Sequence, residues 1–177
     1  MTFEQDPDLA RELRQGAGRE WNEEAAEDER LTALHDRRRF GLADMAKEMA
    51  NRGERVTVDV SGHSLSGTVV AAGADYAVIE GSGVSSEVKL DAAFWSVIPA
   101  GIDAKPGTVT DESLSARLSD HSEQGNTVRI ALPGGELVIG KVKVVATDHV
   151  EIADADGRRL FVPMTMILAV MRSIEFH

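Results

Sequence analysis

The chain has 177 residues, of which 42% are hydrophobic and 28% are charged. This composition is typical of one ordinary globular domain or two small ones. The chain contains no cysteine, which excludes disulfides, thiolate catalysis and cysteine-ligated metals and is typical of a reducing compartment. Its 19 basic and 30 acidic residues give a net charge of −11, which argues against nucleic acid or an anionic membrane as the first choice of partner.

The hydropathy pattern predicts a cytoplasmic protein. The acidic start, residues 1–6, has no apolar stretch behind it, so we expect no signal peptide. The longest apolar run, residues 161–171, is shorter than the roughly 20 residues that a membrane-spanning helix needs. We therefore expect no membrane partner.

Residues 1–40 are predicted to form an acidic helical head. They are rich in Ala, Glu, Arg and Leu and have almost no β-branched residues, which favours helix. Pro7 suits a first helical position, and Gly16-Ala17-Gly18 predicts a break. A second helix is predicted over residues 22–39, where acidic residues come early and arginines late, as the helix dipole favours. We interpret it as a solvated helix, with a docking surface as the alternative.

From Gly53 onward the sequence changes to a period of two. Val56, Val58 and Val60 alternate with polar residues, which predicts a strand with one buried face. Further strands are predicted around residues 65–71, 77–79, 88–90 and 97. Short strands joined by tight turns favour a small closed barrel over a sandwich.

The same pattern occurs twice along the chain. A shift of 72 residues places Leu42 on Leu114, Val56 on Val128 and Leu65 on Leu137. After one insertion, a shift of 73 places Gly67 on Gly140 and Val97 on Val170. Each copy is therefore predicted to be a short helix followed by a five-stranded barrel, in a fold that is α+β and mostly β.

The repeat also predicts the domain boundaries. After the head at 1–40, we expect barrel 1 at 41–98, a linker at 99–110 and barrel 2 at 111–177. The linker contains prolines and glycines. Thr110 or Asp111 is the predicted cap of the short helix that precedes barrel 2.

Three features lie at set spacings within residues 56–99: Gly62…Leu65…Gly67, Asp75-Tyr76 and Val97-Ile98-Pro99. The second copy has Gly134…Leu137…Gly140 and Asp148-His149. This pattern resembles the Sm-like family, in particular its bacterial Hfq branch. The resemblance implies two Sm-like five-stranded small β-barrels of the SH3-like kind and a tendency to assemble into oligomers. The layout of a head and two barrels is also similar to a group of actinobacterial proteins.

The chain differs from the family at the positions whose side chains bind RNA in the family. The family typically has an Asn four residues after the Asp, where this chain has Ile79 and Ile152. The Tyr-Lys-His segment of the Hfq branch falls on Leu90-Asp91-Ala92 in one copy and on Pro163-Met164-Thr165 in the other. The resemblance therefore implies fold and assembly but not RNA recognition.

No motif predicts catalysis. The segment from Gly62 to Gly67 is similar to a hydrolase nucleophile elbow, but Ser66 occupies the place of the second glycine, which favours a hairpin. His149 and Glu151 lie two apart on a predicted strand, as two metal ligands could, but we identify no third ligand and interpret them as an exposed polar pair. We expect no enzymatic activity, no cofactor and no small-molecule substrate.

One cluster of cations remains. In copy two, Val128, Ile130, Val142 and Val144 are predicted to face inward, so the residues between them face outward. The predicted basic face consists of Arg129, Lys141 and Lys143, with Arg158 and Arg159 in a nearby turn. Such a face suits phosphates or an acidic protein surface, such as the head of this chain, and ordinary solubilising charge is the alternative.

The large aromatic residues suggest interfaces rather than base stacking. Phe161 is predicted to be in the core, which leaves no aromatic row of the kind that single-strand binders use. Trp21 and Trp95 are candidate interface residues because tryptophan is enriched at interfaces. Barrel packing is the alternative for Trp95.

Two functional hypotheses follow. The first is a non-enzymatic adaptor that binds a protein partner, or a second copy of itself, through edge strands of the barrels. The second is an RNA-binding post-transcriptional regulator that uses the basic face of barrel 2. The net charge and the missing base-reading residues favour the first hypothesis.

Overall fold

The structure is a computed structural model that describes residue 22 and residues 25–98 and 104–174. The chain divides into two compact units, residues 1–41 and residues 42–177. The sequence predictions for Pro7, Gly16–Gly18 and Trp21 lie outside the described residues.

Most of the described residues of the first unit are helical. Helix α1 covers residues 25–39, within the range predicted from its composition. All of its residues are exposed, including Leu31 and Leu34.

The described residues of the second unit form two further helices, eleven strands and short 3-10 turns. The helices are α2 (Leu42–Arg52) and α3 (Leu114–Glu123). The strands are β1 (Arg55–Val60), β2 (His63–Ala72), β3 (Tyr76–Gly81), β4 (Val84–Lys89), β5 (Phe94–Ile98), β6 (Thr108–Val109), β7 (Thr127–Ala131), β8 (Leu137–Val145), β9 (His149–Ala153), β10 (Arg159–Pro163) and β11 (Ala169–Ser173).

The prediction of two closed barrels is wrong. The strands form one open sheet in the order β10-β9-β8-β7-β11-β4-β3-β2-β1-β5, and β6 pairs in parallel with β2. A closed first barrel needs β4 to pair with β5, but β4 pairs with β11. This pairing satisfies the backbone groups of β4 and β11 with each other and merges both copies into one sheet.

The two halves of the sheet repeat the same strand order and register. Val56 lies opposite Gly67 as Val128 lies opposite Gly140. However, Leu65 corresponds to Val138 rather than Leu137, since these two residues face Val58 and Ile130 respectively. The additional residue therefore lies in the turn before β8, earlier than the sequence alignment placed it.

The sequence alignment also paired the wrong residues in the last strand of each copy. Val58 faces Trp95 and Ile130 faces Val170. Trp95, rather than Val97, is therefore the counterpart of Val170. The alignment failed here because the two copies differ in length after their third strands.

A bulge in the second strand of each copy explains another wrong prediction. The register shifts between Val69 and Ala71 in β2 and between Val142 and Val144 in β8. The extra residue reverses the alternation of faces. Val144, predicted to face inward, is consequently 50% exposed.

The core consists of two clusters, and each takes residues from both copies. The cluster beneath α2 includes Val58 and Ile79, together with Met171 of β11. The cluster beneath α3 includes Leu118, together with Tyr76 of β3. The junction between the copies is therefore packed as part of the core, because each side supplies apolar residues to the other.

The cap of α3 differs from the prediction. Ser113, rather than Thr110 or Asp111, is the N-cap, and its hydroxyl accepts a hydrogen bond from the Ala116 N–H at 3.3 Å. The Asp75 carboxylate accepts a second hydrogen bond, from the Leu114 N–H at 2.7 Å. Two of the free N–H groups at the start of α3 are thereby satisfied.

Candidate interaction edges and basic face

The sheet ends in two strands that have a hydrogen-bonded neighbour on one side. Among the described strands, β5 pairs with β1 alone and β10 pairs with β9 alone. An unpaired side presents backbone N–H and C=O groups that a strand of another chain can bind. We therefore treat β5 and β10 as candidate interaction edges.

Both edges carry exposed apolar side chains. Phe94 of β5 is 72% exposed, and Ile98 near the other end of the strand is 51% exposed. Phe161 in the middle of β10 is 57% exposed, so its predicted core position is wrong. The strand pattern misplaced Phe161 because an apolar residue on an edge and one in the core look alike in sequence.

Trp95 lies on β5 but its ring is partly used in packing. The side chain is half-buried against the core cluster beneath α2. Its Nε1–H donates to the carbonyl oxygen of Leu90 at 3.2 Å. The other candidate interface residue, Trp21, lies outside the described residues.

Two of the five predicted cations are engaged with carboxylates. Arg158 donates to Asp154 at 2.8 Å and to Asp156 at 3.3 Å. Arg159 forms a bidentate ion pair with the Glu151 carboxylate, with N–O distances of 2.6 and 2.7 Å. The Arg159 guanidinium also lies 5.2 Å from the centre of the Phe161 ring. These pairs cancel much of the positive charge near β10.

The contact with Arg159 also changes the acidity of Glu151. The hydrogen bond from the guanidinium, reinforced by its charge, holds the pKa of Glu151 below its ordinary value. The same hydrogen bond raises the pKa of Arg159. At neutral pH both groups are therefore ionised and form an ion pair with each other.

The other three predicted cations lie on the neighbouring strands β7 and β8. Lys141 and Lys143 are exposed and Arg129 is half-buried. None of the three has an ion pair with another described residue. Lys141 and Arg159 both lie opposite Ala153, so they share one face of the sheet with a strand between them.

His149 and Glu151 each contact a neighbouring charged side chain. His149 Nδ1 lies 2.6 Å from Asp148 Oδ1, and hydrogen bonding to His149 lowers the pKa of Asp148. Glu151 is occupied by Arg159. Within residues 25–98 and 104–174 there is no group of three or more His, Asp or Glu side chains placed to hold a metal ion.

Sequence reasoning missed a polar cluster at the junction of the two copies. Glu87 of β4 and His121 of α3 are each 3% exposed, and Arg117 also reaches the Glu87 carboxylate at 3.2 Å. A clue existed in the repeat: by strand register, Glu87 and the exposed Phe161 occupy equivalent positions. The shift of 73 residues used in the sequence alignment places Glu87 on Leu160 instead of Phe161, so the alignment did not show this exchange.

Comparison with models of known protein families gives no match, and comparison with curated proteins gives none either. The resemblance to the Sm-like family therefore stays a prediction. In the described part of the chain, no helix combines the length and the apolar character needed to cross a membrane.

Proposed function

We propose that the chain is a non-enzymatic module for protein interaction and assembly, which binds protein partners by adding their strands to the open edges of its sheet. The observation that carries the proposal is the unpaired side of β5 and of β10 among the described strands. A strand added there gains backbone hydrogen bonds along its length, and side-chain contacts decide which strand is accepted.

The side chains of β5 support this proposal. Folded proteins usually protect a strand edge with charged residues or proline. The sequence of β5, Phe94–Ile98, contains neither. An uncharged edge with exposed aromatic and aliphatic residues is suited to being covered by a partner.

The test is capture of proteins by the tagged full-length chain from a nuclease-treated extract. Phe94→Lys and Phe161→Lys place a charge on each edge, and Ile139→Lys is the matched control because Ile139 is 53% exposed on the interior strand β8. We expect a protein bound by the wild type and by Ile139→Lys to be lost from an edge variant. Identical capture by all four proteins would contradict the proposal.

RNA binding is the second candidate function. The observation in its favour is that Arg129, Lys141 and Lys143 have no carboxylate partner among the described residues. The net charge of −11 opposes it. A filter-binding assay at low salt separates the two: salt-sensitive RNA binding that is abolished by Lys141→Glu with Lys143→Glu would favour the RNA function.

A further inference from the structure

We propose that the second copy of the repeat contains a binding site for a small organic phosphate monoester, held by Arg129 and Arg172. The site is a cavity of about 730 Å³ at the start of β7 and the end of β11. Its described lining residues lie on β7, β8 and β11 or directly beside them, away from the open edges β5 and β10. The site therefore goes beyond the proposed function and does not depend on it.

The wall of the cavity is positively charged. Arg129 and Arg172 both line it, and none of the other described lining residues is acidic. Thr127 and Ser173 add hydroxyl groups to the same wall. In a chain whose net charge is −11, a cavity lined by two cations and no described acid is placed to attract an anion.

Within the described part of the chain, neither arginine has a charged partner. No ion pair joins Arg129 or Arg172 to another described residue. The Nε of Arg172 is buried and has no hydrogen-bond partner. Buried N–H groups in folded proteins are nearly always hydrogen-bonded. An unpartnered one beside a cavity therefore indicates that a bound molecule supplies the acceptor.

The first copy of the repeat shows that the fold does not require Arg129. By strand register, the counterpart of Arg129 is Thr57. Thr57 Oγ1 lies 3.1 Å from Ser66 Oγ, so this position is closed by a hydrogen bond within the first copy. In the second copy Ile139 takes the place of Ser66 opposite Arg129 and has no polar group in its side chain. The arginine is therefore specific to the second copy.

Arg172 differs from its counterpart in the same way. Val170 corresponds to Trp95, so Arg172, two residues later, corresponds to Val97. The fold thus accepts an apolar residue at this position. A purely structural role would be expected in both copies, so the two cations indicate a function that the second copy alone performs.

Two guanidinium groups favour phosphate over carboxylate. One arginine satisfies a carboxylate with two parallel hydrogen bonds. A phosphate monoester has three terminal oxygens and a charge of about −1.5 to −2 at neutral pH, so it can accept hydrogen bonds from two arginines and be neutralised by both. The pair Arg129 and Arg172 therefore fits a phosphate monoester best.

The remaining wall of the cavity is apolar. Ile139, Met171 and Ile174 line it together with the polar groups. The volume of about 730 Å³ lies within the range of about 300–1,000 Å³ that is typical of small-molecule sites. The cavity therefore has room for an apolar group attached to the phosphate, which favours an organic phosphate over inorganic phosphate.

A small ligand also suits the charge of the whole chain. RNA carries a negative charge on every nucleotide, so a protein with a net charge of −11 repels it over its length. A small dianion responds to the charges within about one Debye length, roughly 8 Å at physiological ionic strength. Within the cavity those charges are Arg129 and Arg172.

Titration of the full-length chain with phenyl phosphate, followed by calorimetry, tests the site. Arg129→Gln and Arg172→Gln each remove one charge. Arg55→Gln is the matched control, because Arg55 is exposed on β1 in the first copy and its loss changes the net charge equally. We expect the wild type and Arg55→Gln to bind phenyl phosphate equally, and each of the other variants to bind about tenfold more weakly or less.

A double variant separates binding from folding. Arg129→Thr with Arg172→Val replaces both arginines with the residues of the first copy and removes the unpartnered buried N–H, so we expect thermal stability at least equal to that of the wild type. Phenyl phosphate should raise the midpoint of thermal unfolding of the wild type and leave that of the double variant unchanged. A strongly destabilised double variant would show that the arginines have a structural role and would overturn the inference.

Two further ligands define the chemical class. Diphenyl phosphate is a singly charged diester, and single-stranded RNA with a 5′ hydroxyl contains diesters only. We expect both to bind at least about tenfold more weakly than phenyl phosphate. The inference would be overturned by a wild type that does not bind phenyl phosphate in the millimolar range, by an equal loss of binding in Arg55→Gln, or by RNA that binds more tightly than phenyl phosphate and depends on Arg172.

Discussion

His121 Nε2 lies 2.8 Å from a carboxylate oxygen of Glu87, and the two side chains join helix α3 to strand β4 across the junction of the two copies. Asn126 Nδ2 lies 3.0 Å from His121 Nδ1 and donates to it, so the ring proton is assigned to Nε2, which donates to Glu87. Arg117 supplies a further donor. The buried carboxylate is thus satisfied by two side chains from the other copy.

The first prediction concerns Glu87→Ala. The change leaves His121 and part of Arg117 without their acceptor, in a site where Glu87 is 3% exposed. Because Arg117 keeps its contact with Asp120, we expect the free energy of unfolding to fall by about 1–3 kcal/mol, the cost of leaving the buried Nε2–H of His121 without its acceptor. Urea denaturation measures it.

Glu80→Ala is the control for this prediction. Glu80 lies on the neighbouring strand β3 and is exposed, so its removal should change stability by about 0.5 kcal/mol or less. Equal effects of the two substitutions would show that the junction does not depend on the Glu87 contacts.

The sequence predicted local structure well and the arrangement of strands poorly. The period-two pattern located β1 through Val56, Val58 and Val60, and the repeat correctly placed a short helix before the strands of each copy, although it capped α3 two to three residues too early. Alternation states which face of a strand is buried, but it does not state which strand lies beside it. For this reason the pairing of β4 with β11 was missed and two barrels were expected.

Only part of the candidate site was predicted, again because the sequence pattern does not state which strands lie side by side. The alternation predicted correctly that Lys141 and Lys143 are exposed. It did not predict that Arg159 pairs with Glu151, because that contact joins β10 to β9, and the register of these strands depends on the turn between them. The exposure of Phe161 depends on β10 being an edge, which is a property of the whole sheet.

A second prediction concerns the close approach of strands β8 and β9. A Cβ atom added at Gly140 would lie 2.3 Å from the carbonyl oxygen of Ala153 and 2.6 Å from Ile152 Cγ2. Gly140→Ala is therefore expected to destabilise the protein by about 1–3 kcal/mol through overpacking, and Gly140→Val by more. Thermal and urea denaturation measure it.

The neighbouring exposed residue gives the matched control for Gly140. Lys141→Ala should shift stability by about 0.5 kcal/mol or less, since surface changes are usually small. The repeat also predicts the same loss for Gly67→Ala, where a Cβ atom would lie 2.3 Å from the Glu80 carbonyl oxygen. A stable Gly140→Ala protein would mean that β8 and β9 are further apart than described.

A third prediction distinguishes the observed cap of α3 from the predicted one. Ser113→Ala removes the hydroxyl that accepts from the Ala116 N–H, and we expect a loss of about 1 kcal/mol. Ser115→Ala, two residues into the same helix, should be neutral or slightly stabilising because alanine favours helix. Urea denaturation of both variants checks the difference, and equal stability of the two would remove Ser113 as the cap.

The last prediction concerns the pH dependence of the pair formed by Glu151 and Arg159. The hydrogen bond from Arg159 holds the pKa of Glu151 below its ordinary value of 4.5. A carboxylate whose pKa is lower in the folded state stabilises the fold at pH values above its unfolded pKa. That contribution is lost as the pH falls through the folded pKa, so the pair matters at neutral pH and disappears in acid.

Arg159→Gln removes the charge and is expected to raise the pKa of Glu151 towards 4.5, as measured by NMR titration of its carboxyl group. Arg158→Gln is the matched control: Arg158 contacts Asp154 and Asp156 rather than Glu151, so the pKa of Glu151 should stay where it is. If the two variants raise the pKa of Glu151 equally, the effect comes from the general loss of positive charge near β10 rather than from the bidentate ion pair.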